Sequence, residues 1–352
     1  MTINNYFKNL FHLAIPLFLS AVFSIFAFSG FLHATEPVNI VKTPANDVKV
    51  PNKGLLSLGT NEVKVGTYLL NVRKLEVASG TWVVDFYVWF IWEGENINPM
   101  NFEIMNGAVE FKDAAVLDTI EVGGRNFKWA SHRIVATLTN DLNFKNYPLD
   151  IQKLTIEIED REQSVDKLKY TINPLENNID DFVKIQGWEV KEKSCSISTH
   201  TYKTTFGYDD DDSGLVYSRY IFGVKISRPR FSSMLKLLLP LSIILSLSFL
   251  SFALSPDKMS QRISLGISTV FTSVAFHINL TSAIPQVSYL TLADRLMISC
   301  YFILFCSLIS TIYLIRFVDT QQLEKAERIN RYLGFLVPLF GISLLISQFY
   351  IF

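Results

Sequence analysis

Cysteine is scarce, with three residues in a chain of 352. Cys195 stands alone in a polar stretch while Cys300 and Cys306 fall in an apolar one, which excludes a disulfide framework. An excess of either charge is also lacking: 32 Lys and Arg face 33 Asp and Glu, a net of −1. Without a basic stripe the chain has no electrostatic footprint for nucleic acid. Residues 231–352 hold only 8 Lys or Arg and 5 Asp or Glu, so the last third is apolar and the first two thirds carry the charge. An apolar fraction of 49% with 13% aromatics excludes a disordered chain. The five histidines (His12, His33, His132, His200, His277) show no metal-ligand spacing, and neither a nucleophile elbow nor a phosphate loop is present. The chain therefore does not read as an enzyme, and no cofactor is implied.

Lys8 precedes an apolar run over residues 10–32, and polarity returns at His33, with Ala34 as the cleavage position of an export signal. The run is longer than an ordinary signal core, so an uncleaved anchor is the alternative. Either version puts the next segment outside the cytoplasm. The expected domains are a signal peptide at 1–34, a β-domain at 35–230 and a membrane domain at 231–352.

From residue 35 to 228 the pattern is strands. In residues 81–92 (TWVVDFYVWFIW), Trp82, Val84, Phe86, Val88, Phe90 and Trp92 share one face; Asp85, Tyr87, Trp89 and Ile91 share the other. Similar runs at 55–75, 109–116, 127–138, 154–158, 188–192, 196–205 and 217–227 are joined by polar turns, with no long helical period between them. The layout predicts an antiparallel β-sandwich, immunoglobulin-like. Apolar stretches at about 234–254, 263–280, 296–317 and 332–352 are each long enough to cross a bilayer. They predict a four-helix transmembrane bundle. Lys258 and Arg262 lie between the first two helices, and Arg316, Lys325, Arg328 and Arg331 lie between the last two. The positive-inside rule then leaves the β-domain and the C-terminus outside the cytoplasm.

In the second membrane helix Ser264, Ser268, Phe271, Ala275, Ile278 and Ser282 recur at helical period as one stripe. Hydroxyls and small residues on one face suit a water-filled pore, or alternatively a packed interhelical face. One helix cannot enclose a pore, so the first reading needs several subunits around an axis.

Tyr147, Pro148, Leu149 and Asp150, followed by Gln152, resemble the aromatic-Pro-x-Asp signature of pentameric ligand-gated ion channels, the Cys-loop receptor superfamily. Other pieces follow in family order: the strand at 85–92, Gly187-Trp188-Glu189, Ile226-Ser227-Arg228 before the first helix, Pro240 within it, and Ile284-Pro285-Gln286 after the second. Asn140 and Leu154 stand where the two loop cysteines would be, so the chain resembles the prokaryotic branch.

The resemblance implies a homopentamer in a bacterial inner membrane, with bilayer, permeant ions and a small-molecule agonist or proton as its partners. Glu76, Pro148, Asp150, Arg228 and Pro285 would couple the domains, and Phe271 and Ile278 would form the gate. Tyr87, Trp89, Trp129, His132, Glu159, Arg161, Phe206 and Tyr208 would line the ligand site, though aromatics in strands are also ordinary core. The segment after Trp92 lacks the usual Trp-x-Pro element. Asp209, Asp210, Asp211 and Asp212 either bind calcium or form a solvated loop. His277 reads as a buried histidine bonded to a helix carbonyl, with proton sensing as the sharper alternative. The inner mouth, Ser260-Gln261-Arg262, has neither an acidic ring nor a Pro-Ala insertion, and the acid excess before residue 231 favours cations. A non-conducting, membrane-anchored sensor is the alternative function.

Overall fold

The computed structural model describes residues 58–173, 176–206 and 215–350. The signal-peptide reading, Tyr208 and the run Asp209 to Asp212 fall outside the described residues. The chain divides into two compact units: one contains residues 151–228 and the described residues up to Asn143, the other the segment Phe144–Asp150 and the chain from Pro229 onward.

The first unit is two facing sheets. The larger has the order β4-β6-β2-β1-β8, from β1 (Glu62–Glu76), β2 (Thr81–Glu93), β4 (Gly107–Lys112), β6 (Arg125–Thr139) and β8 (Lys169–Ile172). Here β5 (Val116–Val122) also pairs with β6 and β9 (Asn178–Ile179) with β1. The smaller has the order β10-β11-β7-β3, from β3 (Phe102–Ile104), β7 (Ile151–Asp160), β10 (Glu189–Tyr202) and β11 (Leu215–Ser227). Pairings are antiparallel except for β8 and β9, which run parallel to β1. The alternation in β2 works as its sequence dictates: Trp82, Val84, Phe86, Val88, Phe90 and Trp92 are all buried between the sheets. From β7 come Leu154, Ile156 and Ile158, and from β11 Tyr220, Phe222, Val224 and Ile226.

Three strand expectations change. Residues 188–192 and 196–205 form one strand, β10, bent by a bulge between Val190 and Glu192. Its middle, Lys193 to Ser196, is polar because that stretch faces solvent or sits half-buried. Residues 109–116 split, since the pairing of β4 ends at Lys112 and that of β5 starts at Val116. β3, β8 and β9 are too short for periodicity to show them, and the apolar residues of β5 do not alternate with polar ones because the strand is mostly exposed on both faces.

A polar cluster pins the sheets together inside the core. Asn177 is fully buried; its Oδ1 accepts from Thr67 N at 2.7 Å and from the Tyr220 hydroxyl at 2.6 Å. The same hydroxyl lies 3.0 Å from Thr67 Oγ1.

The second unit holds four helices: α1 (Arg230–Leu250), α2 (Met259–Thr281), α3 (Leu292–Asp319) and α4 (Leu323–Ser347). All four are long and apolar enough to cross a membrane. The polar stretch expected as a linker before the last helix is mostly its first two turns. Its basic and acidic residues satisfy a helix as readily as a loop.

Removing the buried amide should show how much the fold leans on it. Asn177→Ala orphans a backbone donor and a tyrosine hydroxyl, at about 1–3 kcal/mol. The thermal midpoint should drop by several degrees; an unchanged midpoint would contradict the assignment.

Candidate functional site

On α2 the helix has two unlike faces. Arg262, Gly266, Thr269 and Ser273 are buried. Ser264, Ser268, Phe271, Ala275, Ile278 and Ser282 are all exposed on the subunit, Phe271 at 72% and Ile278 at 65%. Gly266 is required by contact, because a Cβ there would sit 2.3 Å from the Leu308 side chain on α3. On the exposed face Ser268 Oγ donates to Ser264 O at 2.8 Å, and Ser282 Oγ to Asn279 O at 2.8 Å. With their hydrogens spent on the helix, these hydroxyl oxygens present lone pairs outward.

At the other end of α2, His277 Nε2 donates to Asp294 Oδ1 at 3.0 Å and Nδ1 lies 3.0 Å from the Tyr301 hydroxyl. The expected helix-carbonyl partner is thus replaced by two side chains of α3. Asp294 is also the third residue of a capping box, its Oδ2 accepting from Thr291 N at 2.9 Å.

Segment Phe144–Asp150 clusters with the helices. Tyr147-Pro148 is a cis peptide. The Tyr147 hydroxyl donates to Leu280 O at 3.2 Å, Leu292 N donates to Lys145 O at 2.9 Å and Ala293 N to Tyr147 O at 3.1 Å. Asp150 is buried and Pro285 half-buried. Glu76 and Arg228 belong to the other unit: Glu76 is 3.6 Å from Lys74, and the Arg228 guanidinium lies 4.4 Å from the Trp188 ring centre.

In the β-unit the expected ligand residues fall into separate groups. Trp89 and Trp129 come together on the outer face of the larger sheet, packed with Leu58, Ile91 and Phe127. Gly66 makes room, since a Cβ there would meet the Trp89 ring at 2.3 Å. Tyr87 shares this face and is exposed, next to Asp85, which takes both Arg133 (2.9 Å) and Arg73 (3.0 Å). The Arg133 hydrogen bond, ahead of burial, sets the outcome and holds the Asp85 carboxyl below its usual range. His132 is not in this group. It points between the sheets, 3.1 Å from Asp113 O and 5.6 Å from the Phe102 ring, and burial pushes its imidazole pKa down.

The second group is on the outer face of the smaller sheet. Glu159 is buried; it accepts from the Tyr202 hydroxyl at 2.8 Å and from Arg219 Nε at 2.5 Å. Arg219 also reaches Glu157 at 3.0 Å. Rings of His200, Phe206 and Tyr217 surround Tyr202 at 4.5, 5.4 and 5.6 Å. Burial first, then the Glu159 bond, pushes the Tyr202 hydroxyl up to about 12, so it stays a neutral donor. Arg161 stands apart, exposed and 3.4 Å from Glu103. Arg219, Tyr217, His200 and Glu157 were not singled out in the sequence; their signal is cross-strand register, with Arg219 opposite Glu159 on β7 and Ser198 on β10. Among the described residues no group of three or more His, Cys, Asp or Glu is placed to hold a metal ion.

Residues 237–334 match the family described as "Neurotransmitter-gated ion-channel transmembrane region". Over that stretch the chain is similar to the transmembrane region of those channels. It is similar to a gamma-aminobutyric acid receptor subunit beta-like protein of Drosophila melanogaster, 26% identical over 195 residues, covering 54% of this chain and 36% of that one. It is also similar to the gamma-aminobutyric acid receptor subunit beta of Caenorhabditis elegans, 26% identical over 184 residues, covering 50% and 30%. The match thus spans only about a third of each relative's length.

Asp160, next to Glu159, points the other way into the core. Its Oδ1 accepts from Glu162 N at 2.9 Å and Gln163 N at 2.7 Å, while its buried Oδ2 has no partner among the described residues. Burial outweighs those bonds and raises its pKa. A carboxyl whose pKa is raised on folding weakens the fold as pH rises through its range, and the loss is undone on acidification. Asp160→Asn should therefore raise the thermal midpoint at neutral pH, and the gain should shrink as pH falls toward the ordinary carboxylate range. A variant less stable than the parent at neutral pH would refute this.

Proposed function

We propose that the protein is a ligand-gated ion channel: a homopentamer in a bacterial inner membrane, with its β-domains and C-terminus in the periplasm and α2 of each subunit lining one axial pore. The observation that carries the reading is the division of α2. A helix that buries Arg262, Gly266, Thr269 and Ser273 in its own bundle keeps Ser264, Ser268, Phe271, Ala275, Ile278 and Ser282 on a separate face, with aligned hydroxyl oxygens and one large ring. Lipid has no use for the hydroxyls, whereas a ring of five such faces encloses water. Phe271 and Ile278 then form apolar constrictions where the water column breaks.

Agonist binds where the two aromatic groups of neighbouring subunits meet: Tyr87, Trp89 and Trp129 from one, Glu159, Tyr202, Phe206 and Tyr208 from the next, with Arg161 at the rim. Because the relatives are named for gamma-aminobutyric acid, small amino-acid zwitterions are the first class to test, and protons the second. Glu76, Pro148, Asp150, Arg228 and Pro285 transmit binding to the pore. The acid excess before residue 231 gives the channel a weak preference for cations.

Purified protein in liposomes tests the reading. Phe271→Ala should raise resting ion flux severalfold over the parent at equal incorporated amount, because the narrowest apolar ring is lost. An unchanged flux would place Phe271 away from the pore. In bilayer recordings under a salt gradient the reversal potential should follow the cation. A potential that follows chloride would overturn the selectivity, and a chain that never conducts with any amino acid or proton step would favour the non-conducting sensor.

A further inference from the structure

Asp160 closes β7 with its side chain in the core of the β-unit, 3% exposed. Only Oδ1 is engaged, by the Glu162 and Gln163 amides, and Oδ2 is buried without a partner among the described residues. Neighbouring carboxylates have bases, Glu159 with Arg219 and Glu103 with Arg161, whereas Asp160 forms no ion pair among the described residues. The charges that act on it, Glu162 and Glu103, are of its own sign. Opposite Asp160 on β3 is Phe102, whose ring packs on Phe90 at 4.9 Å, and Phe90 lies 6.1 Å from Tyr170 on β8. Tyr170 is 1% exposed, and its hydroxyl too is without a partner among the described residues. Burial first, then the charge of Asp160, holds that hydroxyl well above its usual range, so it stays neutral.

A carboxylate taken out of water without a counter-charge is costly. What is missing is a positive guest, since Asp160 Oδ2 is an anionic acceptor and the neutral Tyr170 oxygen offers lone pairs beside it. The faces of Phe90 and Phe102 carry the negative side of their ring quadrupoles, which adds attraction for a cation stripped of its water. Phe102 already holds one such charge: Lys112 Nζ, from β4, lies 4.0 Å from its ring centre. One carboxylate matches one positive charge. Calcium and magnesium need six or more oxygens, and no group of three acidic, histidine or cysteine side chains is placed to supply them among the described residues. Two further buried atoms of this core without partners, His132 Nε2 and Trp92 Nε1, can be served by water, which makes water the competing occupant and leaves the charge of Asp160 unanswered.

We propose that the part of the core bounded by Asp160, Tyr170, Phe90 and Phe102 binds a small, weakly hydrated monovalent cation, of the potassium or ammonium kind, between the two sheets. The cation takes Asp160 Oδ2 and the Tyr170 oxygen as ligands and rests against the ring faces. Glu159 and Asp160 are consecutive on β7 and point to opposite faces, so the ion sits behind the Glu159, Tyr202 and Arg219 group and braces the strand that carries it. The inference concerns the β-unit alone, so a protein that fails to conduct still passes or fails this test on its own.

The experiment reads the thermal midpoint of the full purified chain in nanodiscs at neutral pH, in potassium chloride or in N-methyl-D-glucamine chloride of equal ionic strength. The second cation is too large to lie between the sheets. Potassium should raise the midpoint of the parent by several degrees, saturating with concentration, and the effect should fade on acidification as a proton takes the place of the ion on Asp160. Asp160→Asn should be indifferent to the choice of cation, so potassium narrows its stability gap to the parent by raising the parent alone. Tyr170→Phe keeps the carboxylate and the ring, and gives a second arm should the first variant fold poorly: potassium should still act, at severalfold higher concentration. In crystals of the parent grown with potassium and soaked in a thallium(I) salt, an anomalous peak should touch Asp160 Oδ2. Equal midpoints of the parent in the two salts would overturn the proposal, with water density at Oδ2 then naming water as the occupant. A potassium effect that survives in Asp160→Asn, or one that is unchanged in Tyr170→Phe, would overturn it too, by placing the ion elsewhere.

Discussion

Asn140 and Thr155 hold the base of the loop on which the membrane-facing half of the chain depends. Asn140 Oδ1 accepts from Trp82 Nε1 at 2.8 Å and from Thr155 N at 3.1 Å, and its Nδ2 donates to Thr155 Oγ1 at 2.6 Å. A step further along, Asn143 and Gln152 exchange two bonds of 2.9 Å, one in each direction. Side-chain hydrogen bonds close this loop without a covalent bridge, anchored to a fully buried tryptophan. The choice has a physical cost and a benefit: hydrogen bonds of this kind contribute about 1 kcal/mol each, less than a covalent closure, but they are indifferent to the redox state around them.

What the loop delivers is backbone oxygen. The first four N–H groups of a helix have no partner within it. On α3 all four are met: Thr291 by Asp294 Oδ2, Leu292 by Lys145 O, Ala293 by Tyr147 O and Asp294 by Thr291 Oγ1. Two of those acceptors belong to segment Phe144–Asp150, so a displacement of that segment would leave donors at the start of α3 without acceptors. Asp294 extends the consequence to α2 through His277. The position of the loop is thereby linked to that of α2 by hydrogen bonds within one unit.

The fold was legible wherever one face of an element is dry. Residues 81–92 announced both the strand and its buried side, and the apolar stretches announced four helices. Elements that bury nothing gave no pattern: β5 is exposed along most of its length, and the centre of β10 reads as a polar loop although it is paired throughout. The same limit governs the sites. A stripe on α2 can be read from its period, because it obeys the geometry of one helix. The Glu159, Tyr202 and Arg219 set cannot, because it is assembled by register between three strands. His132 failed for a related reason. It is three residues from Trp129, and an odd separation in a strand puts the two side chains on opposite faces.

That parity argument also bears on why one subunit is not enough. Trp89 and Trp129 lie on the outer face of the larger sheet; Glu159, Arg219, Tyr202 and Tyr217 lie on the outer face of the smaller one. The core of the sandwich, with Phe86, Phe90, Ile156, Ile158, Tyr220 and Phe222 fully buried, stands between them. No side chain reaches across two packed sheets about 10 Å apart, so the two aromatic groups cannot close on one small molecule within a single β-domain. A two-fold dimer would bring like faces together and leave each pocket half-built. Only a head-to-tail contact sets the larger sheet of one subunit against the smaller sheet of the next, and such a contact closes when repeated around an axis. A ligand site of the kind proposed therefore needs two unlike faces from two copies of the β-domain.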